Sequence, residues 1–234
     1  MKSKIALLTA LALVAGSAVA AEDSGFYVGA GLGFGKINVD NDKITNALNN
    51  EFVALGAPLY VTNDNVDQNT APWDLMVGYK FMKYFAVELA YIDLGSADYT
   101  GKIRDTETID EPIVGKAKAS LNADGWPLSV LGIWPVTDQF DVWGRVGVFF
   151  GNSDAKAKLT YADGSLVCDD YTCAKNRGSD GSTEFVGGVG ADYHFTDEWS
   201  VRGEWFTIPN LEFGDSSLDG NVNDFQFSVL YAFK

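Results

Sequence analysis

Beyond its first twenty residues this 234-residue chain lacks any apolar run long enough for a membrane-spanning helix, which needs about twenty residues. A bundle of membrane helices is thereby excluded. Proline is scarce, with six residues, and no Pro- or Ser-rich stretch divides the chain. Residues 21–234 therefore read as one domain. Cations are scarce as well: 17 Lys and Arg stand against 32 Asp and Glu, for a formal charge of −15. Such a surface excludes nucleic acid as a partner. Only two cysteines, Cys168 and Cys173, and one histidine, His194, occur.

What the chain has in quantity is alternation. In the last run, Phe225, Phe227, Val229, Tyr231 and Phe233 share one parity, while Gln226, Ser228, Leu230 and Ala232 share the other. A period of two means a strand with opposite faces. One greasy, aromatic face and one mostly small or polar face fit a barrel with lipid outside and packed polar groups inside. A mean hydropathy of −0.02 agrees, because only alternate residues face lipid.

The first residues give the compartment. Lys2 and Lys4 precede an apolar stretch from Ile5 to Val14 and then small residues from Gly16 to Ala20. This is the layout of a secretory signal peptide, residues 1–20, cleaved after Ala20 or one residue later. Its removal takes away two lysines and no acids, leaving a charge near −17.

Eight strands are expected, at 26–37, 73–82, 84–94, 120–135, 139–150, 183–195, 198–209 and 224–233. Each holds the roughly nine to eleven residues that a tilted strand needs to cross a bilayer. Turns near Lys83, Thr137 and Asp197 are very short and the other four connections are long. Short turns belong on the periplasmic side and long loops outside, which puts both termini in the periplasm. The fold class is all-β, an eight-stranded antiparallel up-and-down transmembrane β-barrel with short periplasmic turns and long extracellular loops.

By parity, Lys80, Glu88, Arg145, Asp192, Arg202 and Glu204 point into the lumen near those turns. The interior of so narrow a barrel is filled by side chains, and unpaired charge there is costly. A neutral, interlocked ion-pair network is expected. Gly29, Gly31, Gly33 and Gly35, with Gly188 and Gly190, sit inside strands and not before a helix, so they read as room for bulky lumenal Trp143, Phe149 and Phe206 and not as a phosphate loop. In an exported protein Cys168 and Cys173 are expected to form a disulfide, with a metal site or redox dithiol as the alternatives. It closes a small loop, so its effect on stability is modest.

Asp40, Asp42, Asp64 and Asp67 in the first long connection, and Glu212, Asp215 and Asp219 in the last, form an acidic rim. No stretch has the spacing of a calcium loop, so no metal or cofactor is assigned, although divalent bridges to lipopolysaccharide phosphates remain open. Ile44, Ala47, Leu48, Phe52 and Leu55 recur at helical spacing. They suit either a short amphipathic helix, over the mouth or against the outer leaflet, or an irregular packed loop.

Three segments carry a family resemblance: LSVLGIWPVTDQFDVWGRVG (128–147), YFAVELAYIDLG (84–95) and GADYHFTDEWSVRGEW (190–205). In them the chain resembles the transmembrane domain of outer-membrane protein A and its small eight-stranded relatives, a porin-like family of the Gram-negative cell envelope. The resemblance implies that Glu88 and Arg202 form an ion pair that blocks the lumen, with Arg145 and Asp192 as further members. Leu131 stands where the family often has a lumenal lysine, which argues against switching. It also implies outer-membrane lipids, lipopolysaccharide and the outer-membrane assembly machinery as partners, and an extracellular ligand reached through the loops. The sequence ends with the barrel, so no peptidoglycan domain is expected. Some small barrels modify lipid A, but His194 falls beside a periplasmic turn, far from that substrate, and an enzyme is not expected. The reading is a structural, surface-interactive barrel with a plugged lumen. The alternatives are a narrow channel gated by Glu88 and Arg202, or a conduit for small hydrophobic solutes.

Overall fold

The computed structural model describes residues 24–105, 107, 112–168, 180–213 and 218–233. The expected signal peptide and Cys173, with its expected bridge to Cys168, lie outside the described residues. In chain order the elements are β1 (Gly25–Val39), α1 (Asn41–Leu55), β2 (Leu59–Asp67), β3 (Asn69–Thr70), β4 (Trp73–Met82), β5 (Phe85–Asp105), β6 (Ile113–Pro135), β7 (Phe140–Tyr161), β8 (Leu166–Cys168), β9 (Asp180–His194), β10 (Trp199–Phe213) and β11 (Leu218–Ala232).

Eight of these close a ring in the order β1, β4, β5, β6, β7, β9, β10, β11. All neighbours are antiparallel, and β11 returns to β1 from the Tyr27–Ala232 pair to the Val39–Gly220 pair. Closure leaves the ring no free edge. The alternation of the sequence is the alternation of its wall: Leu32, Leu75, Val130, Val146, Val189, Phe227 and Val229 face outward and are exposed. Aromatic pairs band both ends of this apolar belt. Trp73, Tyr91 and Trp126 touch in sequence at one end, and Trp199, Tyr231 and Phe233 at the other. Such girdles mark the two interfaces of a membrane.

The expected long loops are corrected in an important respect. β5, β6 and β7 have 21, 23 and 22 residues, about twice what a bilayer requires. The β5–β6 connection shrinks to 106–112, and β10 and β11 leave only 214–217 between them. Most of what reads as loop is sheet that continues the barrel beyond the membrane. β2 prolongs the wall by pairing with β5, and β8 adds to the edge of β7.

Helix α1 lies over the open end of that extension. Asp40 caps its start by accepting the Asp42 N–H at 2.9 Å, and Gly56, at φ 65°, ends it with an N–H donated to the Val53 carbonyl. Ile44, Leu48 and Phe52 are buried in one cluster with strand residues such as Ile37, Leu94, Ile103, Phe149 and Ile208. The helix is tied across the mouth: Lys43 pairs with Asp219 of β11, Thr45 Oγ1 lies 3.0 Å from the Tyr99 hydroxyl of β5, and Asn49 Oδ1 accepts the Val61 N–H of β2 at 2.6 Å. Of the readings open in the sequence, the structure takes the helix over the mouth.

Candidate functional site

The lumen within the apolar belt is filled by charge. Arg202 of β10 grips Asp192 of β9, its cross-strand partner, with Nε–Oδ1 at 2.8 Å and Nη2–Oδ2 at 2.9 Å. This is the bidentate fork for which arginine is suited. Its remaining Nη1 donates across the lumen to Glu88 Oε1 of β5. Arg145 of β7 binds the other Glu88 oxygen at 2.9 Å and Glu204 Oε2 of β10 at 2.8 Å. Its Nε sits 2.8 Å from Glu204 Oε1 as an ion pair without hydrogen-bond alignment.

Neutral groups complete the plug. The Tyr27 hydroxyl donates to Glu88 at 2.6 Å, and the Trp143 indole N–H donates to Asp192 at 2.9 Å. The same indole lies under both guanidinium groups, 4.5 Å from that of Arg202 and 5.4 Å from that of Arg145, a further attraction for desolvated cations. Arg202 is 3% exposed, and Glu88 and Glu204 are each 2% exposed, so none has water to replace a lost partner.

Five of the six residues expected in the network thus meet: Glu88, Arg145, Asp192, Arg202 and Glu204. Lys80 does not join them. It stands 3.8 Å from Asp141, which also takes a 3.1 Å contact from His194. Asp141 lies between outward Phe140 and Val142, so its parity gave the signal that could have found it. By count, carboxyl groups outnumber cations in the cluster. Two arginines face three carboxylates, and Asp74 and Asp224 are buried just beyond with oxygens that have no protein hydrogen-bond partner. Tyr27, Asp74 and Asp224 were missed because tyrosine and lone acids carry no pairing pattern in sequence.

The glycines follow a more divided logic than the sequence suggests. A Cβ on Gly190 would meet Trp143 at 2.4 Å, and one on Gly151 would meet Phe149 at 2.3 Å. Two β1 glycines instead leave space for polar groups, Gly31 for Asp74 and Ser228 and Gly35 for Asp224, while Gly29 makes room for Met76.

Below the network a vestibule opens at the short-turn end, lined by Tyr27, Lys80, Asp141, His194 and Arg202. Above it the lumen gives way to the apolar cluster beneath α1, which includes Ile92, Phe149, Phe206 and Val222. The acidic rim resolves into local structure. Asp40 caps α1, Asp67 accepts from the Asn69 backbone and side chain, and Asp219 pairs with Lys43. The side chain of Asp64 and all of Asp215 lie outside the described residues. Among the described residues no group of three or more His, Cys, Asp or Glu is arranged to hold a metal.

Comparison with known proteins fits this architecture. Outer membrane protein A of Serratia marcescens is 25% identical over 94% of this chain and 52% of its own length. Outer membrane protein P5 of Haemophilus influenzae is 30% identical over 88% of this chain and 52% of its own length. The chain therefore spans about half the length of the curated relatives it matches. The crystal structure of Neisserial surface protein A aligns with 90% of this chain and 99% of its own, at 11% identity and a TM-score of 0.46. Residues 21–221 match the OmpA-like transmembrane domain, so the chain belongs to that family and is an integral protein of the Gram-negative outer membrane.

Proposed function

We propose that the protein is a sealed structural barrel that contributes to envelope integrity and holds its outer extension as a rigid surface for interaction. The observation that carries this reading is a lumen closed at two levels by unlike means. The Glu88–Arg145–Asp192–Arg202–Glu204 plug closes it within the membrane, and the apolar core under α1 closes it above. Charge excludes nothing small and polar for long once its pairs rearrange. A close-packed apolar core has no such low-cost opening, because each rearrangement exposes hydrocarbon and leaves voids.

A gated channel is the second reading, and the vestibule that leads from the short-turn end to Arg202 favours it. Planar-bilayer recordings separate the two. The sealed barrel is silent, and Arg202→Met remains silent because the upper seal is untouched. Frequent, defined openings of the natural chain that disappear in Arg202→Met would award the function to a channel. In cells, loss of the chain is expected to raise detergent sensitivity and leakage of periplasmic proteins, with Arg202→Met restoring integrity to the extent that it folds.

A further inference from the structure

The outward flank of the extension carries a basic field that the sealed-barrel reading does not use. Lys102 of β5, Lys116 and Lys118 of β6, and Lys156 and Lys158 of β7 all lie on one outward face, with Arg104 beside them. Six of the 17 cations of an acidic chain are thus gathered on three strands. Their register sets like against like: Lys102 is directly opposite Lys116, and Lys118 is directly opposite Lys158. Like charges in such cross-strand pairs destabilise a sheet. Lys118, Lys156 and Lys158 also line a shallow groove with Thr100 and Ser120, whose hydroxyls supply neutral donors, and with Asp98 on its membrane side.

Height selects among anions. On β6 the outward aromatic at the membrane interface is Trp126, and Lys118 follows it eight residues further out on the same face. At about 3.3 Å per residue and a tilt near 40°, the lysines stand roughly 20 Å above the interface. Lipid phosphates lie more than two Debye lengths below, at about 8 Å each in physiological salt. Asp98, Asp124 and Asp154 occupy outward positions between the interface and the lysine rows, a further barrier to headgroups. The field also faces sideways from the barrel wall and not upward from its tip. Its neighbours at that height are the sugar chains of the same leaflet.

We propose that the β5–β6–β7 flank binds the phosphorylated saccharide portion of lipopolysaccharide, tying the barrel laterally into the carbohydrate layer. The idea rests on the extension being extracellular, as the sealed-barrel reading has it. Phosphate groups between Lys118 and Lys158 would replace repulsion with charge-assisted hydrogen bonds.

The test uses the full chain in uncharged phosphatidylcholine nanodiscs. The probe is the oligosaccharide released from lipopolysaccharide by deacylation, intact or enzymatically dephosphorylated. Binding is expected for the intact probe, weakening with salt, and falling at least tenfold on dephosphorylation and in Lys118→Glu/Lys158→Glu. Lys83→Glu, the same charge reversal made once at a short turn, leaves it unchanged. Lys118→Gln/Lys158→Gln, which removes charge without reversing it, gives an intermediate loss, and circular dichroism reports that each variant is folded. Absent binding, or equal binding by Lys118→Glu/Lys158→Glu, would overturn the proposal. Tighter binding of a heparin octasaccharide than of the phosphorylated probe would overturn the assigned source in favour of sulfated glycans. Orientation is read separately with a membrane-impermeant amine reagent on whole cells: labelling of Lys118 but not Lys83 supports the extracellular placement, and the reverse defeats it without touching the binding result.

Discussion

Within the membrane the barrel is oily outside and ionic inside; above the membrane it is ionic outside and oily inside. β6 shows both states in one strand. Its outward residues run from Val130, Leu128 and Trp126 to Asn122, Lys118 and Lys116. Its inward residues run from Ser129 to Ala123, Leu121 and Ala117. The surroundings of the wall change from lipid to water, and the side chains change with them. In lipid the apolar wall gains nothing from burial against itself, so uniqueness inside comes from directional ion pairs. In water the ordinary hydrophobic effect returns, and the extension folds around a core like that of a soluble protein. The two halves are one sheet held together by two different forces.

The comparison breaks hardest at Arg202. Arg202→Met leaves Glu88 and Asp192 buried without their shared cation, and breaking a buried pair in this way costs about 3–5 kcal/mol. Urea unfolding in lipid vesicles should show the whole membrane section weakened. The triple variant Arg202→Met/Glu88→Gln/Asp192→Asn removes the orphaned charges as well, and most of the loss is expected to return. If the single and triple variants are equally unstable, side-chain packing and not charge pairing holds the lumen.

A smaller, more local effect belongs to the other half. Leu48 of α1 is buried in the apolar core, and Leu48→Ala should cost roughly 2–4 kcal/mol through lost transfer energy and a cavity. The loss should appear as faster hydrogen exchange in α1 and in β2, which it packs against, while exchange within the belt is unchanged. Loosening of both halves together would mean that the seals are coupled.

Why the lower half was legible in sequence and the upper half was not follows from this inversion. The lipid face gives an unmistakable period of two, and the lumenal partners Glu88, Arg145, Asp192, Arg202 and Glu204 stand at the opposite parity of the same runs. The upper half keeps the period but reverses its polarity, so on β6 and β7 the greasy-outside pattern fades near residues 120 and 150 although the strands continue. On β5 and β10 the phase itself slips. Register shifts occur between Asp93 and Ser96 and between Ile208 and Leu211. Buried positions pass from Ala90, Ile92 and Leu94 to Ala97, Tyr99 and Ile103, and from Phe206 and Ile208 to Leu211. Gly95 at φ 78° and Asn210 at φ 57° sit in those irregularities, as expected of bulges that need left-handed backbone. An alternation read outward from the membrane stops at each of them. Lys80 was misassigned for a related reason: parity gives the face, but its height near the short turns put it beside Asp141 and not with the arginines.

The smallest effect concerns the strap that holds α1 to the far wall. Lys43 and Asp219 are both largely solvated, so their pair contributes little to global stability. Its use is positional: it joins the helix to β11, while Thr45 and Asn49 join it to β5 and β2. The hydrogen bond from Lys43 holds the Asp219 carboxyl below its ordinary value, and the same bond holds the Lys43 ammonium above its own. A depressed carboxylate contributes above its unfolded pKa and loses the contribution as pH falls through the folded value. A raised ammonium contributes below its unfolded pKa and loses it as pH rises through the folded one. The strap is therefore present across neutral pH and released below about pH 4 and above about pH 10.5. Hydrogen exchange of α1, compared between the natural chain and Asp219→Asn at each pH so that intrinsic rates cancel, should differ slightly at pH 7, and the difference should shrink as pH falls below about 4. A difference that does not shrink with acidification would show that Asp219 positions the helix by something other than its charge.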